Sequence, residues 1–181
     1  WKPHLPFNAP KRYWDLYDRT HLRPPSPPAM PAGAPVLAGH TWNELRGYAG
    51  MPKDGPLSPE QIVELRHGYL ACVSFLDAQV GKVLRELGRL GLDGNTLVVF
   101  WSDHGFHLGE HDLWGKTANY ELDTRVPLIF AGPGVTAGGR APGLAELLDV
   151  YPTVVEASGL PAAAGTEGRS LLPRLRDPSA P

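Results

Sequence analysis

An α/β sandwich, with helices packed on a sheet, is the fold class this sequence predicts, and three observations predict it. A long amphipathic pattern starts at Ser58. Two short, continuously apolar runs follow at 96–101 and 126–130, and a second amphipathic pattern covers 144–158. Helix, strand, loop, strand, helix is the order in which a layered α/β domain buries helix stripes and strand faces together. The 181 residues include 21 glycines and 20 prolines, roughly twice the usual combined share of about 12%. That excess disfavours a helical bundle and favours many turns and long connections. The length suits one ordinary domain with a sizeable core.

Residues 1–57 read as mostly irregular. Trp1–Pro10 carries three prolines and is expected to be extended, and Tyr13–Tyr17 could form one or two helical turns. Six prolines within Arg23–Pro35 favour polyproline II or loop, read as a surface connection rather than a peptide-recognition ligand. The proline-rich connection is placed at 24–57, and the helix–strand–loop–strand–helix block at 58–181.

The helix begins with Ser58-Pro59-Glu60-Gln61, an N-cap, a proline at the first helical position and a Gln three residues after the cap. Ile62, Leu65, Tyr69, Cys72, Leu76, Val80, Val83, Leu87 and Leu90 recur at steps of three and four, which predicts one continuously buried face. Gly91 ends the pattern. Thr96–Trp101 is β-branched and aromatic throughout, as expected of a strand covered on both faces in a parallel sheet. Val126–Phe130 reads as a second strand, closed by Gly132-Pro133-Gly134. Leu144–Ser158 reads as the second helix despite Pro152.

Composition also excludes functions. A formal net charge of -2 argues against a nucleic-acid-binding surface. One cysteine excludes a disulfide framework. No apolar run approaches the roughly 18 residues that a membrane span needs. The sequence has no initiating Met and its first residues read as an internal motif, so it is expected to be a segment of a larger domain.

Chemistry concentrates after the first strand, where open α/β sheets gather functional groups. Asp103 and His104 offer a carboxylate and an imidazole side by side, both ligand types for a divalent cation, and Gly105 lets the backbone turn behind them. A capped turn is the alternative reading of the same residues. His107 and His111 lie four apart, as in a helical zinc site. Gly105 and Gly109 interrupt such a helix and no Glu directly follows His107, so both are read as loop residues packing or hydrogen-bonding around the site. Lys116 is a point charge suited to sulfate or phosphate oxygens, or else a solvated surface lysine.

Together, Ser102-Asp103-His104-Gly105, Leu108-Gly109-Glu110-His111, Lys116, Tyr120-Glu121 and Arg125-Val126-Pro127-Leu128-Ile129 resemble the metal-site loop of type I sulfatases. Trp1–Phe7, Leu70–Gly81 and Leu147–Val154 are similar to segments of the iduronate-2-sulfatase branch of that family. The resemblance implies an alkaline-phosphatase-like sandwich, a mostly parallel mixed sheet between helices, of which 1–181 would be a central to C-terminal part. It implies a calcium-dependent sulfuric-ester hydrolase acting on a sulfated sugar, located in the periplasm or outside the cell, and it leaves the oligomeric state unassigned. Carried onto this sequence, it makes Asp103 and His104 metal-site residues, with His104 alternatively placed near the sulfate. Lys116 would bind sulfate oxygens, and His4 would act in acid/base chemistry at the leaving-group oxygen.

The sequence also departs from the family pattern. Family members attack sulfur with a formylglycine made within a Cys/Ser-x-Pro-x-Arg motif, and this sequence has none. Cys72 lies on the buried helix face, and Ser26-Pro27-Pro28-Ala29-Met30 has Met30 in place of the arginine. The paired aspartates that complete the family's metal site, and its C-terminal antiparallel subdomain, have no counterpart. The nucleophile is expected upstream, the chain is expected to be inactive alone, and apolar surface on the long helix and first strand is expected to be open. Two other readings accompany the sulfatase: a phosphodiesterase or phosphonate hydrolase of the same superfamily, and a non-catalytic metal-binding module.

Overall fold

A computed structural model of the chain describes residues 2–39, 44–162 and 164–179. Trp1 and residues 40–43 of the proline-rich connection lie outside the described residues. The fold divides into two compact units, Trp1–Arg85 with His104–Val126, and Glu86–Asp103 with Pro127–Pro181.

The first unit is organised by its long helix. A short helix, α1 (Lys11–Trp14), precedes α2 (Pro59–Arg89). The cap of α2 is the one its sequence specifies. The Gln61 amide nitrogen donates to Ser58 Oγ at 3.2 Å, and the Ser58 amide donates to Gln61 Oε1 at 2.9 Å. Past its end, Gly91 takes φ +67°, and the amides of Gly91 and Leu92 reach back to Gly88 and Leu87 carbonyls, closing the helix with the left-handed residue that glycine adopts freely.

The stripe on α2 is covered over its first turns only. Leu65 and Cys72 are buried with Leu5, Phe7, Leu45, Leu57 and Trp114, and Ile62, Tyr69, Phe106 and Leu108 pack against that core. Phe7 meets Tyr69 and Phe106 edge-on at 5.5 and 5.9 Å between ring centres. Trp14 lies against His67, Tyr13 meets Phe75, and Tyr17 and Ser74 share a 2.6 Å hydrogen bond. Val83 and Leu90 are exposed, which corrects the expectation of a continuously buried face. The N-terminal segment reaches α2 as far as Phe75, through Tyr13. His67 is a satisfied core histidine. Its Nδ1 accepts from Arg19 Nε at 2.9 Å, so Nε2 carries the hydrogen and donates to the Trp14 carbonyl at 2.8 Å.

In the second unit, β1 (Val98–Trp101) pairs with β2 (Leu128–Ala131), Val98 facing Ala131 and Trp101 facing Leu128. The pair is antiparallel, not parallel as the apolar run suggested. Continuous apolarity reports burial on two faces and carries no information on a neighbour's direction. Here Phe100 and Trp101 are exposed, as is Ile129, in agreement with the expected open apolar surface.

The second helix is shorter than its pattern. A 3-10 turn at Leu147–Asp149 leads into α4 (Val150–Ala157), and α5 (Leu172–Arg176) follows. Pro152 thus falls in the first turn of α4, where an amide has no helical partner to lose. Buried Asp149 accepts from the Glu146 and Arg169 amides, and buried Thr153 accepts from the Leu171 amide, tying α4 to the residues before α5.

Gly68 tests the seating of the N-terminal segment. A Cβ there would stand 2.9 Å from both Cβ and the carbonyl oxygen of Phe7. In an open helix Gly→Ala is stabilising by about 1 kcal/mol. Here Gly68→Ala is expected to destabilise by about 2 kcal/mol through overpacking, read by urea denaturation. A gain in stability would show that Phe7 does not approach α2.

Candidate active site

Three segments far apart in the sequence meet in the first unit. His4 lies just before buried Leu5, Glu44 just before buried Leu45, and Lys116 two residues after buried Trp114. Each polar group is therefore carried to the surface by an apolar neighbour fixed in the same core. Lys116 Nζ lies 3.3 Å from His4 Nε2 and 3.4 Å from Glu44 Oε2, and Glu44 Oε1 lies 3.4 Å from His4 Nε2. The cluster is partly sheltered, with side-chain exposures of 18% for Lys116, 21% for Glu44 and 39% for His4. His4 Nδ1 contacts the Leu5 carbonyl at 2.7 Å. A carbonyl only accepts, so Nδ1 carries the hydrogen and Nε2 is the atom that faces the lysine and the carboxylate. Tyr48 also reaches Glu44, at 3.4 Å. Burial, and then the Glu44 charge, push its hydroxyl above the ordinary tyrosine value.

The loop that carries Lys116 is held by its own backbone and one carboxylate. The Gly105 amide donates to the Asp123 carbonyl at 2.8 Å, and the His107 amide to the Gly115 carbonyl at 2.7 Å. Asp123, on the short helix α3 (Glu121–Thr124), is buried. Its Oδ1 accepts from His107 Nδ1 at 3.0 Å and its Oδ2 from the Ala118 amide at 3.0 Å. Lys116 thus sits between two anchored residues, Gly115 and Ala118. Gly105 allows no side chain, because a Cβ would stand 1.9 Å from the Leu122 carbonyl oxygen.

A second clamp holds the stretch 108–110. Arg66, on α2, donates from Nη1 to the Leu108 carbonyl and to Glu110 Oε1, both at 2.9 Å, while Glu110 Oε2 accepts from the Leu108 amide at 2.7 Å. Burial raises the Glu110 pKa, but the hydrogen bonds from Arg66 and Leu108 and the Arg66 charge outweigh it and hold the carboxyl below its usual value. The proline tract braces the same loop. Pro25 is buried against Gly109, and the His111 amide donates to the Pro27 carbonyl at 2.8 Å. It is a connection with one seated proline rather than an unengaged polyproline segment.

The histidines of the loop do not form a helical zinc pair. Gly109, His111 and Asp112 all have positive φ, which no α-helix contains. His107 is fully buried on Asp123, and His111 stacks on Tyr120 at 4.4 Å. Among the described residues no group of three or more His, Cys, Asp and Glu is arranged to hold a metal ion.

Asp103 ends its segment of the second unit, exposed and just past β1, and His104 opens the loop segment of the first. His104 Nδ1 lies 2.7 Å from the Gly105 carbonyl, so that nitrogen carries the hydrogen. Cys72 is fully buried and burial pushes its thiol pKa up, the behaviour of a core residue. Of the residues the sequence singled out, His4 and Lys116 come together, and Asp103 and His104 adjoin through the chain. Glu44, Arg66 and Asp123 were not singled out. Glu44 lies 72 residues from Lys116 with no motif around it. Arg66 and Asp123 are ordinary helix residues whose partners are set by the loop.

The family model described as Sulfatase matches residues 2–160. A sulfatase from Formosa agariphila is 36% identical over 94% of this chain and 33% of its own length. Human iduronate 2-sulfatase is 33% identical over 88% of this chain and 34% of its own length. A phosphonate monoester hydrolase from Silicibacter pomeroyi superposes with a TM-score of 0.79 at 30% identity, covering 99% of this chain and 36% of that one. The chain therefore spans about a third of the curated relatives it matches, and its fold is a part of the alkaline-phosphatase-like α/β domain.

The Arg66–Glu110 clamp has a defined pH signature. Because the folded Glu110 pKa is lowered from 4.5, its contribution is complete above that value and is lost as pH falls through the folded pKa. Arg66→Ala is expected to cost about 1–2 kcal/mol at pH 7, and the gap to the native sequence should narrow below about pH 4. Urea denaturation at pH 7 and pH 3.5 checks both. An equal gap at the two values would remove Glu110 from the account.

Proposed function

Because this chain belongs to the sulfatase family, we propose that it forms the sulfate-handling part of a sulfuric-ester hydrolase whose substrate is a sulfated sugar. One observation carries this reading: a lysine and a histidine from opposite ends of the first unit close on a single carboxylate. The lysine ammonium is a donor for anionic oxygens, and the carboxylate offsets part of its charge until a ligand takes the same nitrogens. That the ester is carried by a sugar, without the charge class of that sugar, follows from the likeness to iduronate 2-sulfatase.

In this reading Lys116 Nζ takes the sulfate oxygens as a point charge with three donors. His4 protonates the departing ester oxygen. Its Nδ1–H is committed to the Leu5 carbonyl, which fixes the ring and leaves Nε2 as the nitrogen that holds or releases the proton. Asp103 and His104 are the residues that would hold a divalent cation, calcium first. A carboxylate and an imidazole are both ligand types for a divalent cation, with water or further residues supplying the rest of the roughly six to eight ligands of calcium. Bound there, the cation would neutralise charge on the transferring sulfuryl group.

A formylglycine does not fit the residues present. Cys72 is sealed in the core, and Ser26 stands in the proline tract without the motif's arginine. No nucleophilic step is assigned to this chain.

A phosphonate or phosphodiester substrate is the second reading, favoured by the likeness to the phosphonate monoester hydrolase. The deciding assay is release of 4-nitrophenol from 4-nitrophenyl sulfate and from 4-nitrophenyl phenylphosphonate by the full-length protein. Good phosphonate turnover with no sulfate release would sink the sulfatase reading. Lys116→Ala should lower kcat/KM for the sulfate by about 100-fold, the loss of one charge-assisted contact in the transition state; unchanged turnover would remove Lys116 from the site. His4→Ala should slow alkyl sulfates at least about tenfold more than aryl ones, since a good leaving group needs less protonation. Equal losses would count against the acid role.

A further inference from the structure

Glu44 is a carboxylate inside a site proposed to bind an anion. Its Oε2 lies 3.4 Å from Lys116 Nζ and its Oε1 3.4 Å from His4 Nε2. It is not a loosely placed surface group. Leu45, the next residue, is 3% exposed in the core, and Glu44 opens the 3-10 turn Glu44–Gly47. Tyr48 approaches Oε1 from the following turn, at 3.4 Å. Any sulfate held by Lys116 therefore has this carboxylate as a near neighbour, and the two anions share the same two nitrogens. Such a carboxylate repels a second anionic group on the ligand and accepts hydrogen bonds from a hydroxyl or ammonium.

Resting on the sulfate-site reading above, we propose that Glu44 sets the charge class of the substrate. The group next to the scissile ester is a hydrogen-bond donor, a hydroxyl or an ammonium, and a carboxylate at that position is rejected. For a sulfated sugar this selects neutral or amino sugars over those with an acid group beside the ester.

The test uses three probes that differ only beyond the ester: 2-aminoethyl, 2-hydroxyethyl and 2-carboxyethyl sulfate. Their binding is measured by calorimetry at pH 7, with inorganic sulfate as the common reference. The expected order is amino, then hydroxy, then carboxy, with at least about tenfold between the ends. Glu44→Gln, which keeps the shape and removes the charge, should bring all three within about threefold, and Glu44→Lys should reverse the order. If Glu44→Gln tightens all three equally, Glu44 is only a competitor for the lysine and the proposal fails. An unchanged order in both variants also overturns it. If inorganic sulfate binds the native protein and Lys116→Ala alike, the fault lies with the sulfate site itself and not with Glu44. Thermal denaturation of each variant keeps loss of folding separate from loss of selectivity.

Discussion

The packing of Leu5 and Phe7 into the core of the first unit is the contact on which the site depends. Phe7 touches Tyr69 on α2 and Phe106 in the loop, and Leu5 lies in the same core as Leu45 and Trp114. Burying two side chains of this size contributes roughly 3–6 kcal/mol of transfer free energy before entropy is counted. The lysine, histidine and carboxylate contacts at 3.3–3.4 Å are long for hydrogen bonds and partly solvated, so they contribute far less. Apolar packing places the polar groups, and the polar groups do not hold the fold together.

The loop from His104 to Val126 uses the opposite strategy. It has little regular structure, and it is fixed by backbone pairing, by the Asp123 carboxylate and by the Arg66–Glu110 clamp. A buried carboxylate with two donors is satisfied and directional, which gives a loop a defined course where a hydrophobic core cannot. Lys116 inherits that course from its neighbours Gly115 and Ala118 rather than from contacts of its own stem.

How much of this was legible in the sequence depends on the range of the interaction. The cap at Ser58, the Gly91 stop and the early core positions of α2 are local or periodic, and they could be read directly. The strand direction could not, because pairing is a property of two segments and the apolar run describes one. The late start of α4 turned on Pro152, whose meaning depends on which turn it occupies. Of the candidate functional residues, His4, Asp103, His104 and Lys116 stood out through motifs. Glu44 and Asp123 did not, since a single acidic residue has no pattern until the fold supplies its partner.

The His4–Lys116 contact spans 112 positions of the chain, and that separation bears on when the site comes into being. Closing a loop is an entropic cost that each doubling of length raises by only about 0.6 kcal/mol, so the separation barely weakens the finished site. It matters for order of events, because contacts between distant segments form late while α2 can form from neighbours in sequence. A chain that has made its long helix but not yet docked its first residues would look half-folded by helix content and would hold no anion. In the proposed reading, sulfate affinity would report completed folding.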